Sequence, residues 1–292
     1  MFLLLGGGDM RKSIFSQLDG YKSDPLVEFG KITRLIYKEA SIYRHTISTL
    51  FEVCFPLSES LRPYYVDYND CIRQNTSELS EHCGCDYANL PVKERRAITE
   101  EFLKYCEILI NLYFVSFSPN GRAKWSDWGL NQAICKQFVE FVHNSLHSIG
   151  YKTVVENEEM HTCRAIKINP QAECVAEASP KTIRAAIYEY LGSRDGDVKA
   201  KETALHHLID RLEPTLSKYH TVDMIGQIKR YSQLIRHPDT KQKEKPYLWF
   251  VKDKERHLDE MFNMCIYVES YVQTKETLNK FLVLEEKAKS SN

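Results

Sequence analysis

The sequence lacks the features that identify the commonest classes of protein. It has no surplus of one charge, with 39 Lys plus Arg against 40 Asp plus Glu in 292 residues. Balanced charge creates no overall field toward nucleic acid or a membrane, so such a partner must bind a local patch. The sequence also lacks the signature of a serine nucleophile. The glycines at 6–8 do not indicate a phosphate-binding loop or a dinucleotide fold, because they precede no suitable strand-to-helix unit.

Long hydrophobic runs are equally scarce. The apolar start at residues 1–5 is far shorter than a signal peptide, and the apolar stretch at 108–117 is too short to span a bilayer. The 9 cysteines are scattered and odd in number, which is typical of reduced thiols and not of a disulfide framework. We therefore expect a cytoplasmic protein with neither a secretion signal nor a membrane anchor.

What the sequence does contain is helical periodicity. After Asp24 and Pro25, an N-cap and a first-turn proline, apolar residues recur at helical spacing and predict one long helix to about Cys54. The same criteria predict further helices over residues 61–79, 92–117, 126–149, 180–192, 197–218, 221–236 and 256–288. At 43% apolar, the chain can bury a substantial core, and its length favours two helical units.

The pattern changes between residues 151 and 177. Three short β-prone segments, 153–155, 165–168 and 173–175, are separated by turn signals. We therefore predict a mainly α fold in which a small β-hairpin or three-stranded insert joins two helical regions. The predicted divisions are 1–150, a helical region of unknown role, 151–178, the insert, and 179–292, the C-terminal helices.

A local basic segment interrupts the C-terminal helices. Residues 229–256 contain 9 Lys or Arg against 4 Asp or Glu, in a chain that is neutral overall. Such a surplus can hold phosphates by counterion release, and the candidate nucleic-acid-binding residues are Lys229, Lys241, Lys243 and Lys245. The alternative is a solvated connector, which the run at 241–245 also resembles.

Arginine and histidine lie together in this segment. Arg236 and His237 are adjacent, and Arg230 precedes His237 by six intervening residues. RNA cleavage without a metal needs a group that takes the 2′-hydroxyl proton and a cation that stabilises charge on the phosphate, and His and Arg suit these roles. The alternative is a surface His and Arg favoured by the dipole at the C-terminal end of a helix.

Two further groups have the residue types of a site. His82, Cys83 and Cys85 are soft ligands, but their spacing does not match a zinc knuckle, so we interpret them as loop thiols and expect no metal. His206 and His207 point to different faces of one helix, as neighbours must, and we interpret both as structural. No cofactor is expected.

Four C-terminal segments carry a family resemblance. They are the helix at 183–191, the helix at 204–214 with its Leu-Glu-Pro end, the segment at 234–239 with Ile-Arg-His, and a last helix from Leu258. Residues 179–271 resemble the C-terminal part of bacterial abortive-infection-like proteins, which carry a helical domain of the HEPN class. The predicted hairpin ahead of them also fits.

This resemblance implies an up-and-down helical bundle that tends to dimerise and, in active members, a ribonuclease site. Arg236 would be the phosphate-binding Arg and His237 the polar residue after it, in which case the second His of the family falls near Gln242. Alternatively, Arg230 and His237 fill the outer positions and Tyr231 the polar one.

Two hypotheses follow from the sequence. The first is a dimeric endoribonuclease of the phage-defence type that binds RNA, needs no metal and is restrained by a regulatory protein partner. The second is a non-catalytic helical platform for dimerisation or protein interaction, favoured by the neutral charge and by Gln242 where a His is expected. Neither hypothesis involves a membrane.

Overall fold

The computed structural model describes residues 23–38, 45–58, 61–117, 128–157, 162–218, 226–228, 232 and 252–290. The chain forms two compact units, Met1–Ala165 and Ile166–Asn292. The described part is mainly α-helical with one small two-stranded sheet, so the predicted fold class is confirmed.

Five α-helices form most of the described part of the N-terminal unit. They are α1 (Pro25–Ile36), α2 (Ile47–Cys54), α3 (Tyr68–Glu81), α4 (Val92–Ser116) and α5 (Trp128–Ser148). The central helix is α4, which packs against the other four and buries large side chains such as Phe102 and Leu109. Tyr105 of α4 meets Phe29 of α1 edge to face, with ring centroids 5.5 Å apart.

The single long helix predicted from Pro25 to Cys54 is wrong. α1 ends at Ile36, and α2 starts anew at Ile47, where the Thr46 side chain accepts a hydrogen bond from the Thr49 backbone N–H. A capped start of this kind satisfies a backbone donor that would otherwise lack a partner. Apolar spacing persists through both helices, so periodicity alone did not show the break.

The predicted insert is a hairpin of two strands, β1 (Tyr151–Asn157) and β2 (Thr162–Lys167). The hairpin is held to α4 in the N-terminal unit, because Asn111 and Glu107 accept the backbone N–H groups of Cys163 and Ala165 at 2.9 and 2.6 Å. The boundary between the two compact units falls within β2.

The third β-prone segment is not a strand. Residues 173–175 lie in helix α6 (Pro170–Ala178), which begins at an Asn169 N-cap with proline in the first turn. Asn169-Pro170, the turn signal between the second and third β-prone segments, is therefore a helix start, since these residue types favour both turns and helix starts.

After the last two residues of β2, four helices form most of the described part of the C-terminal unit. They are α6, α7 (Lys181–Leu191), α8 (Val198–Lys218) and α9 (Lys254–Ser290), and the last three confirm the predicted helices. α7 packs on α6 and α8, and α9 packs on α6 and α8. The predicted helix at 221–236 lies outside the described residues, except for 226–228 and 232, which are helical.

Candidate functional site

The residues proposed for RNA chemistry lie outside the described residues. They are the candidate catalytic Arg230, Arg236 and His237 and the candidate phosphate-binding Lys229, Lys241, Lys243 and Lys245. Of the described positions in this part of the chain, Ile228 and Ser232 are buried. Because none of the predicted site residues is among those that the structure describes, their roles stay predictions.

Of the described residues, those of helix α9 form the best candidate for a functional surface. The first part of this helix is packed in the core, and its last part is exposed. One face of this part supplies core side chains from Leu258, Met261, Phe262, Cys265, Ile266, Val268 and Val272. Phe262 stacks on Tyr190 of α7, with ring centroids 4.1 Å apart and planes within 6°. The beginning of α9 is therefore fixed by apolar burial.

A buried lysine fixes the same end of the helix. The Lys201 side chain on α8 is 4% exposed, and its Nζ lies 2.9 Å from Asp259, 3.1 Å from Glu255 and 3.6 Å from Asp195. Asp259 also accepts a hydrogen bond from the Tyr190 hydroxyl at 2.7 Å. This Lys201 cluster joins α7, α8, the loop between them and α9 through charge-assisted contacts.

The electrostatics of the Lys201 cluster follow from this geometry. Burial alone would lower the pKa of Lys201, but its hydrogen bond to Asp259 and the charges of Asp259 and Glu255 outweigh burial and raise that pKa. Burial, followed by the hydrogen bond to Asp259, raises the pKa of Tyr190. Both groups therefore stay protonated at neutral pH, which suits a structural tie and not proton transfer.

A second polar contact holds the middle of α9. The Ser179 hydroxyl lies 3.1 Å from Glu269 Oε1 and accepts a hydrogen bond from the Gln273 side-chain amide at 2.9 Å. Both Ser179 and Glu269 are buried. In the described part of α9, Gln273 is the last residue that makes such a polar contact with α6 and with the α6–α7 junction.

Beyond Gln273, α9 leaves the core. Every residue from 274 to 289, here called the α9 arm, is exposed. Five large apolar side chains of the arm are 48–65% exposed: Leu278, Phe281, Leu282, Val283 and Leu284. Monomeric proteins rarely expose apolar residues in such density, and contiguous patches of this kind mark interaction sites.

The exposed apolar side chains on one face of α9 form an outer stripe, defined by Tyr267, Tyr271, Leu278, Phe281 and Leu282. Positions 267, 271, 274, 278, 281 and 285 recur at alternating steps of four and three, the spacing that keeps side chains on one seam of a coiled coil. Thr274 and Glu285 are the polar members of this seam. The outer stripe thus has the geometry of a surface that pairs with another helix.

The outer stripe lies opposite the packed face of α9. At 3.6 residues per turn, the face that buries Cys265 and Val272 continues into the arm mainly as polar residues. Its members are Glu276, Asn279, Lys280, Val283, Glu286 and Lys287, all exposed. The apolar surface of α9 therefore changes sides near Gln273, which directs the arm's stripe away from the face that packs in its own unit.

Other candidates in the described residues are weaker. A cavity of about 520 Å³ in the N-terminal unit is lined by acidic, basic and aromatic side chains including Glu52, Arg62 and Tyr68, and none of its described lining residues is His, Cys or Ser. His207 Nδ1 lies 2.9 Å from Glu189, which joins α8 to α7. Neither feature has the nucleophile and base of a covalent catalyst.

Within the described ranges, no group of three or more His, Cys, Asp or Glu side chains is placed to hold a metal ion. Nor is any described helix both long enough and apolar enough to cross a membrane. In the comparisons with known proteins, no family model, no curated protein and no solved structure matches the chain. Among the described residues, the exposed part of α9 is therefore the best-supported candidate for a functional surface.

Sequence reasoning missed two features of this region. The burial of Lys201 could not be seen, because its carboxylate partners lie on α9 and on the preceding loop. The outer stripe could have been found in the sequence, because its positions after Tyr267 follow one another at alternating intervals of four and three residues. This spacing alone does not show which face of the helix packs in the core.

Proposed function

We propose that this chain is a helical self-association module in which the α9 arm pairs with the α9 arm of a second copy. The carrying observation is the outer stripe, an apolar seam that projects from a helix anchored at its other end. This develops the second of the two hypotheses from the sequence.

The pattern of the stripe favours an antiparallel pair of identical arms. If Leu278 of one copy faces Phe281 of the other, Tyr271 then faces Ala288, and Glu285 faces Thr274 beside Lys275. A parallel pair would instead place the two Glu285 carboxylates opposite each other, which is unfavourable. The arm has nearly balanced charge, with four lysines and three glutamates over 274–289, so two copies do not repel strongly.

The exposed area sets the expected strength. Burying the remaining half of a large apolar side chain contributes about 1–1.5 kcal/mol. The register above covers four stripe residues in each copy, Tyr271, Leu278, Phe281 and Leu282. For two copies this gives about 8–12 kcal/mol, against an association cost of about 4–15 kcal/mol. The most favourable balance of these two ranges is about −8 kcal/mol, so we expect a dissociation constant no tighter than about micromolar.

Sedimentation equilibrium of the full chain tests this proposal. The wild type should associate reversibly, and Leu278→Asp should weaken association by about tenfold or more, since a charge would enter the seam. The matched control is Val283→Asp, a similarly exposed apolar residue on the opposite face of the arm, which should associate like the wild type.

Two results would overturn the proposal. A wild type that stays monomeric at the highest concentration would exclude a second copy as the occupant, and flotation with anionic lipid vesicles would then show whether a lipid surface takes its place. Equal weakening by Leu278→Asp and Val283→Asp would show that the seam is not the contact.

The ribonuclease hypothesis is a second proposal, supported by the sequence of the basic segment. His237 would act as general base or acid, and Arg236 or Arg230 would stabilise the phosphate charge. The test is incubation of the protein with total RNA and tRNA in EDTA, comparing wild type with His237→Ala. Cleavage by the wild type alone supports the assignment, whereas equal cleavage by both proteins, or by neither, contradicts it.

A further inference from the structure

The turn after α3 carries two thiols that the proposed function does not use. Cys83 and Cys85 are both exposed and are separated only by Gly84. Of the other cysteines, Cys174 is also exposed and the remaining six are buried. Cys83 and Cys85 are thus the one pair of exposed thiols that are near neighbours in the described sequence.

The backbone of this turn brings the two cysteines together. The Cys85 N–H donates to the His82 carbonyl at 3.0 Å, and Gly84 has a φ of +90°, which fits a type II turn with glycine at its third position. Consecutive Cα atoms are 3.80 Å apart, so even an extended chain would separate Cys83 and Cys85 by at most about 7.6 Å. A folded turn shortens this toward the roughly 4.4–6.8 Å that a disulfide requires.

The surroundings leave room for the sulfurs to move. A Cβ built on Gly84 meets nothing within 4 Å. The Cys83 thiol makes a weak contact of 3.5 Å to the Leu79 carbonyl, which a rotation about its side-chain bond would release. Because Cys83 and Cys85 are both exposed, closure of a bond across Gly84 requires only the movement of exposed side chains.

The buried cysteines contrast with this pair. Burial raises the pKa values of Cys71, Cys135 and Cys265 to about 12. Because the thiolate is the reactive form, these thiols are both inaccessible and poorly ionised. Oxidation by a small reagent is thus directed to the exposed cysteines, Cys83, Cys85 and Cys174, of which only the first two are neighbours.

We propose that Cys83 and Cys85 are an oxidisable dithiol that closes a reversible disulfide with a low-molecular-weight disulfide as oxidant. One cysteine thiolate attacks a sulfur of the oxidant, the oxidant's S–S bond breaks, and one small thiolate leaves. The second cysteine then attacks the protein sulfur of the mixed disulfide and releases the other small thiolate. Two protein thiols are oxidised, one small disulfide is reduced to two thiols, and the two cysteine protons pass to the leaving groups.

An exposed disulfide in such a short loop should be easily reduced, since exposed and strained disulfides have the more oxidising potentials. The full chain, first reduced, is equilibrated with mixtures of reduced and oxidised glutathione. The samples are then acid-quenched, alkylated, digested and measured by mass spectrometry. The expected product is a peptide that contains both cysteines, has lost two hydrogens and carries no glutathione.

The dependence on glutathione distinguishes closure from simple adduct formation. Doubling reduced glutathione at fixed oxidised glutathione should lower a minor disulfide population about fourfold, because two thiols are released, whereas a mixed disulfide falls about twofold. Cys85→Ser should leave Cys83 able to form only the mixed disulfide, with the twofold dependence. Exposed Cys174 is the internal control for a lone thiol in the same samples.

Three outcomes of the same experiment would contradict the dithiol proposal. If Cys83 and Cys85 carry glutathione adducts, or stay reduced, under conditions that modify Cys174, the dithiol proposal is wrong. Closure to any other cysteine would also overturn it.

Discussion

Replacing Lys201 by methionine gives the strongest test of how α9 is anchored. The substitution keeps the length of the buried side chain but removes the cation shared by Asp195, Glu255 and Asp259. Removing one partner of a fully buried ion pair costs about 3–5 kcal/mol. The Asp195 and Asp259 side chains are 39% and 48% exposed and can regain water, so we expect about 2–3 kcal/mol.

The sign of the pH dependence follows from the raised pKa of Lys201. A folded-state pKa above the unfolded one gives a stabilisation that is fully present below the ordinary lysine pKa and is lost as pH rises through the folded value. The difference in free energy of unfolding between wild type and Lys201→Met should therefore be fully present at neutral pH and decrease as pH rises into the alkaline range.

Native-state hydrogen exchange of α8 and α9 peptides is the suitable assay, because it reports each unit of a two-unit chain separately. Lys199→Met, an exposed neighbour on α8, is the matched control and should change stability by less than about 0.5 kcal/mol. The anchoring role of Lys201 would be refuted if α8 and α9 exchanged in Lys201→Met at the wild-type rate, or if Lys199→Met lost as much stability as Lys201→Met.

Four further single variants can be measured by urea unfolding. Gly30→Ala should stabilise α1 by about 0.5–1 kcal/mol, because a Cβ meets open space there, whereas Gly150→Ala should cost about 1–2 kcal/mol at a φ of +87°. Burial alone would raise the pKa of Glu28, but hydrogen bonds from Lys31, Ser23 and Ser145 lower it. Its stabilisation is therefore present above the ordinary carboxyl pKa and is lost in acid, and Glu28→Gln should remove about 1–3 kcal/mol at neutral pH together with part of the acid sensitivity. Asn169→Ala should cost about 1 kcal/mol through the lost cap of α6.

The sequence predicted the helices better than their ends. α4 lies within one residue of its predicted range because a long apolar periodicity dominates its environment. The break before Ile47 and the helix at Pro170–Ala178 were missed because each depends on a cap, Thr46 or Asn169, whose residue type also suits a turn. Local signals of this kind are resolved only when tertiary packing selects one of them.

The site was less predictable than the fold, for a different physical reason. Whether an apolar helical face becomes core or interface depends on which neighbours cover it, and those neighbours are distant in sequence. In α9, apolar residues at helical spacing are buried on one face, as at Phe262 and Cys265, and exposed on the other, as at Leu278 and Phe281.

Because α9 consists of an anchored part and an exposed arm, substitutions in the arm can be separated from effects on folding. The Lys201 cluster and the Ser179 contact fix the helix before residue 274, so substitutions in the arm should leave the folding of the C-terminal unit unchanged. Leu278→Asp can then alter association without altering stability, which separates interface loss from unfolding. If that variant also accelerated exchange in α8, the arm would have to contribute to the core, and the self-association argument from its exposure would fail.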